Sequence, residues 1–315
     1  MVSDSEKNDE HLDGKALSPN HLCNVIQTLT SIKWTSSERA LDAAVEGTKA
    51  ASVISRLSKF DCSASLWEPL LDEWHQQAKA VSCELKPHHL SGLYWSMDCF
   101  RLLDPNVSLP SEIQHAYDAL NLPFRIRPAF VEHLDGLSVE TLARQVDFQV
   151  DNVRTSSNRV VKERRQTAWE GDNHVAPFSY SGKSMKRGKW SPLVLDVRDF
   201  LCTNTSHYYD GCLLNLYPDG DSGMRYHIDP DQGTLWEYET AVVSVGATRR
   251  FAFRGTQNEN NDDVHVFTLM HGDLTEMFGD CQQRYQHTVK TADAKGETSA
   301  RASLVFKKTL GGGTQ

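Results

Sequence analysis

Several things this chain has little of narrow the field before any motif is considered. No apolar run approaches the roughly 18 residues that a membrane-spanning helix needs, so no membrane association is expected. The opening MVSDSEKNDEHLDGK is acidic and carries no apolar core segment, so this stretch is not expected to act as a secretory signal or an Arg-rich transit peptide. CxxC never occurs. The seven cysteines (Cys23, Cys62, Cys83, Cys99, Cys202, Cys212, Cys281) are scattered and odd in number, so free thiols are expected rather than a disulfide framework or a zinc finger. An intracellular, reducing compartment is therefore expected, whether nucleus, cytoplasm or an organelle, and a monomer is expected. Positive charge is also scarce: 33 Lys and Arg against 42 Asp and Glu leave a net charge of −9, which by itself argues against nucleic acid as a partner.

The distribution reverses that last inference. Residues 151–200 hold 10 basic against 6 acidic side chains, whereas the segments on either side are both net acidic. A basic belt on an acidic protein is a local feature with a local purpose.

Residues 1–20 are charged and expected to be disordered. From 21 to about 125 the apolar period is helical: Leu22, Val25, Ile26, Leu29 and Ile32 recur at helical offsets, as do Leu90, Leu93, Tyr94, Met97 and Phe100. The tags PNHL (19–22) and PHHL (87–90) hint at a small helical repeat, although any amphipathic helix shows such offsets. Proline and turn residues in DPNVSLPSE and LNLPFRIRP mark a boundary, and a further helix is expected around Leu137–Phe148. Beyond Tyr209 the period becomes that of strands. Eight short runs, from Cys212–Tyr217 to Arg301–Lys307, alternate with turns such as PDGDSG and HGD. The expected fold is α+β: an all-helical N-terminal domain over 21–125, followed over 126–310 by an eight-stranded jelly roll, a double-stranded β-helix.

RYHIDPDQG (225–233) carries the chemistry. Side chains two apart on a strand share a face, so His227 and Asp229 aim an imidazole and a carboxylate at one point, and Pro230 ends the pairing beyond them. A third ligand comes from His265, His271 or His287. His271 sits in the turn-like MHGD, whereas His287 in RYQHTVK falls on a late strand. Two histidines and one carboxylate on one face of a metal are the facial triad of non-haem Fe(II) oxygenases. In the last strand, RASLVFKK, Arg301, Ser303, Val305 and Lys307 share a face. Its two cations, six residues and roughly 20 Å apart, can grip a short dicarboxylate between them. Asn215 and Tyr217 share a face of the first strand and offer an amide and a phenol.

Taken in order, NLYPDGDSGMRYHID, AVVSVGATRRFAFR, MHGDLTEMFGDCQQRYQHTV and RASLVFKK resemble the AlkB family of Fe(II)- and 2-oxoglutarate-dependent dioxygenases, over roughly residues 150–308. The resemblance implies that His227, Asp229 and His287 hold Fe(II), and that Arg301 pairs with the distal carboxylate of 2-oxoglutarate, helped by Asn215 and Tyr217. Lys307 stands where the family usually has a second arginine, and Ser303 where it has asparagine. Lysine keeps the charge but loses the planar fork. The chemistry implied is hydroxylation of a C–H bond with O2, 2-oxoglutarate leaving as succinate and CO2. On an N-methyl group the product falls apart to formaldehyde and the bare nitrogen.

The belt interleaves cations with rings, as a surface that tracks phosphates and holds an extruded base requires. Arg164, Arg165, Lys186 and Arg187 are among the cations, and Trp169, Phe178 and Tyr180 among the rings. By the resemblance this region is a nucleotide-recognition lid, PFSYSG (177–182) its base-stacking segment, and Asp231 a base contact. Single-stranded or damaged nucleic acid is thus the expected partner. The rival expectations are a dioxygenase acting on a protein side chain or small molecule, and a non-catalytic protein whose helical domain binds a protein or RNA partner while the barrel is a relic.

Overall fold

The computed structural model describes residues 85–101, 108–154, 158–257, 263–292, 296 and 298–311. The N-terminal segment, the first part of the expected helical domain and the PNHL tag lie outside the described residues.

The chain enters through α1 (Pro87–Arg101) and α2 (Ser111–Ala119), followed by β1 (Phe124–Arg127) and α3 (Val139–Gln145). The basic belt folds as β2 (Asn152–Arg154), β3 (Val160–Lys162), β4 (Gln166–Gly171), β5 (Phe178–Tyr180) and β6 (Lys183–Met185), and ends in α4 (Pro192–Asn204). Then come β7 (Gly211–Tyr217), β8 (Met224–His227), β9 (Thr240–Gly246), β10 (Arg249–Gly255), β11 (Val264–Leu269) and β12 (Leu274–Met277). The single turn α5 (Cys281–Arg284), β13 (Tyr285–Val289) and β14 (Arg301–Lys307) complete the chain.

A six-stranded sheet in the order β1-β12-β9-β14-β7-β4 faces a four-stranded sheet in the order β11-β10-β13-β8, and every strand pairing is antiparallel. The eight strands expected from the alternation are β7 to β14, four in each sheet, which is a jelly roll. β1 and β4 extend the larger sheet at its two edges.

β14 is buried along its whole length because both of its faces are covered. Ala302, Leu304 and Phe306 point outward into an apolar layer with Leu193, Val194, Val197 and Leu201 of α4. Pro192 opens that helix at a position where its missing N–H costs nothing. Val305 points inward, into a core with Phe251, Phe253, Phe267 and Val289 of the smaller sheet. Arg301, Ser303 and Lys307 share that inward face and are equally buried, which is costly without partners. Such polar burial in a central strand marks a site.

Of the all-helical domain expected over 21–125, the described part is α1 and α2. Leu90, Leu93 and Met97 of α1 pack on Ile113 of α2. The other side of α1 docks on the barrel: Trp95 lies edge-on to Phe267 at 6.3 Å, and Ser91 Oγ is 2.8 Å from His265 Nδ1. α1 therefore shares a core with the smaller sheet. None of the described helices is long and apolar enough to cross a membrane, and Cys202, Cys212 and Cys281 are free.

Candidate metal centre and cosubstrate cradle

β8 and β13 pair so that His227 lies directly opposite His287, with ring centroids 4.2 Å apart. The strand ends at His227, two residues short of the expected Met224–Asp229. The Asp229 backbone N–H donates to Gln282 Oε1 at 2.8 Å instead of joining the ladder, and this turns the carboxylate back towards the two rings. Asp229 Oδ1 stands 3.7 Å from His227 Nε2 and 3.5 Å from His287 Nε2, and one ligand atom from each of the three residues fits within 4.8 Å of the others. His265, by contrast, is held between Ser91 and Asp263, and His271 Nδ1 accepts the Gly246 N–H, so both of those histidines are engaged elsewhere.

The electrostatics suit a cation. His227 Nδ1 lies 2.9 Å from the Arg225 carbonyl; the tautomer that donates to this oxygen leaves Nε2 as a bare lone pair. Burial and the neighbouring His287 push the His227 imidazole down to about 3, so the ring is neutral at neutral pH. Burial alone would push the Asp229 carboxyl up, but the Lys307 ammonium and His287 hold it well below the usual carboxylate range. Lys307 Nζ sits 2.7 Å from Asp229 Oδ2 and 3.4 Å from Thr240 Oγ1. Two imidazole nitrogens and one carboxylate oxygen, with the second carboxylate oxygen tied back, form a donor set that fits ferrous iron.

Beside them lies a cradle of unsatisfied polar groups. Across the β7–β14 ladder Tyr217 stands opposite Arg301 and Asn215 opposite Ser303. On the other flank of β14, Ser244 of β9 stands opposite Ser303. Arg301 is 1% exposed, yet among the described residues its side chain makes one hydrogen bond, from Nη2 to Ser244 Oγ at 2.9 Å, and Nε and Nη1 find no partner there. Both amide atoms of Asn215 and the Tyr217 hydroxyl are also buried and unpartnered. Burial pushes the Arg301 guanidinium down, and among the described residues no carboxylate forms an ion pair with it. An uncompensated buried guanidinium ringed by idle donors fits a bound carboxylate, because neither group is stable there alone.

The expected substrate residues are divided. Trp169 and Phe178, each 2% exposed, form a satellite core with Trp236, at ring distances of 4.9 and 5.3–5.8 Å. They are packed against one another rather than offered to a base. Tyr180 donates its hydroxyl to Glu163, and Arg165 lies over the Tyr180 ring while pairing with the same Glu163 at 3.2 Å. Arg187 donates to the Gly171 carbonyl and Arg164 to the Asp221 carbonyl. Lys186 is exposed. Asp231 is exposed in a left-handed turn (φ 61°), where its own carbonyl accepts the Leu235 and Trp236 N–H groups.

Sequence reasoning missed Ser244, Thr240 and Gln282. Ser244 carried a signal, a hydroxyl alone among valines in AVVSVG. Gln282 carried none, since it reaches Asp229 across 53 residues from a turn.

The family model described as the 2OG-Fe(II) oxygenase superfamily matches residues 131–307. Uncharacterized protein R406 of Acanthamoeba polyphaga mimivirus is 31% identical over 155 residues, covering 49% of this chain and 78% of that protein. Alpha-ketoglutarate-dependent dioxygenase alkB homolog 3 of Bos taurus is 31% identical over 171 residues (51% of this chain, 58% of that one). DNA oxidative demethylase ALKBH2 of Mus musculus is 28% identical over 151 residues (46% and 62%). The chain thus spans less than two thirds of either AlkB homologue. With its triad and its anion cradle side by side on the two sheets, the chain belongs to the 2OG-Fe(II) oxygenase superfamily, is AlkB-like, and has Fe(II), 2-oxoglutarate and O2 as its cofactors.

Proposed function

We propose that this protein oxidatively demethylates N-alkylated bases in nucleic acid. The observation that carries the catalytic part is the Arg301 guanidinium, buried with no ion-pair partner among the described residues, beside the His–Asp–His cluster. Bound ferrous iron, with 2-oxoglutarate and O2, supplies the oxidation that turns an N-methyl group into a hydroxymethyl group, releasing succinate and CO2. The chain's own residues do the rest. His227 Nε2, Asp229 Oδ1 and His287 are the metal donors in this reading. Arg301 anchors the far carboxylate of 2-oxoglutarate, and Asn215 and Tyr217 complete its hydrogen bonds. Lys307 is tied to Asp229, and its charge sits where it steadies the ligand rather than forking onto the cosubstrate.

Access follows from burial. The His227 side chain is 28% exposed, whereas those of Asp229 and His287 are 11% and 6% exposed, so the substrate approaches past β8. A hydroxymethyl group on a base nitrogen then breaks down to formaldehyde in water, with no further help from the protein.

Support for nucleic acid as the substrate comes from the two AlkB homologues, one of which is named a DNA oxidative demethylase, and from the exposed cations of the belt. The free thiols of Cys202, Cys212 and Cys281 support a reducing compartment. The test is formaldehyde release from a panel of N-methylated DNA and RNA oligonucleotides with iron and 2-oxoglutarate supplied. His227→Ala should abolish both formaldehyde and succinate while leaving the circular dichroism spectrum unchanged. Retained turnover in that variant rejects the metal assignment, and wild-type turnover confined to peptides or free metabolites rejects nucleic acid.

A further inference from the structure

We propose that the outward face of β8, β13 and β10 is a phosphate-binding track for the strand that flanks the base under repair; this rests on the demethylase reading above. Alternation fixes the geometry. His227 and His287 point into the barrel, so Tyr226 and Gln286, one residue before each, point out of the same two strands. Arg254 on β10 stands opposite Gln286, and Lys290 directly follows β13.

These side chains form one built cluster. The Arg254 guanidinium lies 4.1 Å from the Tyr226 ring centroid, and Lys290 Nζ lies 4.6 Å from the same centroid. Gln286 Oε1 accepts from both Arg254 Nε (2.9 Å) and Nη2 (2.7 Å), which fixes the plane of the guanidinium. Two cations are therefore gathered on one ring, where their mutual repulsion opposes the modest cation–π attraction. Several other cations of this protein do have an acid beside them: Arg125 and Arg127 with Glu276, Lys308 with Glu237, Arg165 with Glu163. Among the described residues, neither Arg254 nor Lys290 forms an ion pair. On a chain of net charge −9, a preorganised pair of cations lacking an acid is a site for an external anion.

Position selects the phosphodiester backbone as that anion. β8 is the free edge of its sheet, with the partly exposed His227 on its inner side and the cation cluster on its outer side. Arg225, which is exposed, precedes His227 by two residues on the same strand. A strand delivering one base past β8 to the metal donors lays its neighbouring phosphates over that edge and onto Arg254 and Lys290. The cluster is separate from the basic belt, several of whose cations are spent on Glu163, Asp151 and backbone carbonyls.

The test is fluorescence anisotropy of a labelled single-stranded oligonucleotide titrated with wild type, Lys290→Gln, and the double variant Arg254→Gln/Lys290→Gln, across a range of salt. Each phosphate contact on a single strand contributes about 0.7 to the salt slope, so the double variant should lose about 1.4 and the single variant about half of that. Across an about fourfold rise in salt, wild type should thus lose roughly sevenfold more affinity than the double variant. Succinate formation without nucleic acid should be unchanged in all three proteins. Wild type that binds salt-sensitively, with variants of identical slope, overturns the track and leaves the demethylase reading standing. Wild type that binds no oligonucleotide overturns both.

Discussion

Replacing Lys307 by methionine tests the reading of the site without any metal or substrate. The Lys307 side chain is 1% exposed and that of its partner Asp229 is 11% exposed, with 2.7 Å between Nζ and Oδ2. Removing one member of a buried ion pair leaves the other charged and uncompensated, which costs about 3–5 kcal/mol. For a barrel of this size each kcal/mol moves Tm by about 2–4 °C, so metal-free Lys307→Met should melt roughly 10 °C lower. A general packing defect would do something similar, so the decisive measurement is a double-mutant cycle in chelator. Asp229→Asn alone should also destabilise, because it leaves the ammonium buried without its anion. Lys307→Met/Asp229→Asn should recover much of the loss, giving a coupling energy of about 3 kcal/mol. A double variant whose cost equals the two single costs added together would mean that the two side chains do not act as a pair, and the account of how Asp229 is steadied would fail.

Two further outcomes follow from the same geometry. Arg301→Ala should raise the KM for 2-oxoglutarate by roughly tenfold to a hundredfold, the loss of charge-assisted bonds of about 1.5–3 kcal/mol, measured by succinate formation; an unchanged KM rejects its anchoring role. The pH response of the metal-free protein should contain a contribution from His227. Its folded-state value of about 3 lies below the ordinary 6.5, so between those values the native state holds fewer protons than the unfolded chain. The stability it contributes is complete above about 6.5 and drains away as pH falls towards about 3. With the ring 28% exposed and partly screened, this amounts to about 1 kcal/mol by pH 5. Urea unfolding of wild type and His227→Gln at pH 7 and pH 5 should show wild type losing about 1 kcal/mol more than the variant, since His89, His271 and Asp273 titrate alike in both, and equal losses would refute it.

How much was legible in the sequence depended on how local each determinant is. β7 to β14 announce themselves because one face of each strand must be apolar and turn residues separate them. The triad was legible in part: alternation put His227 and Asp229 together, but the third ligand stayed open among His265, His271 and His287, and only the family resemblance singled out His287. Asp229 was harder: it reaches the cluster through a turn fixed by Gln282, and no period encodes a contact made across 53 residues. The belt was legible in charge but not in use. Trp169 and Phe178 among cations look alike whether the rings await a base or pack on Trp236, because both arrangements call for flat apolar groups beside charge. Lys183 belongs to the same ambiguity. Folding of β2–β3 and β5–β6 carries it to Asp151, Glu163 and Thr167, where it becomes an internal tie. The offsets in α1 marked it as amphipathic without naming its partner, and Trp95 turns out to rest on the smaller sheet.

The two-sidedness of β14 has a consequence for how the chain reaches its native state. A shift of a single residue against β7 and β9 would turn the alternation inside out. Ala302, Leu304 and Phe306 would line the cavity, while a guanidinium and an ammonium would be driven into the oily contact with α4. Both errors are severe, so one strand proofreads its own alignment. The charges that equip the pocket for its ligands thereby also penalise every odd-numbered slip of this strand.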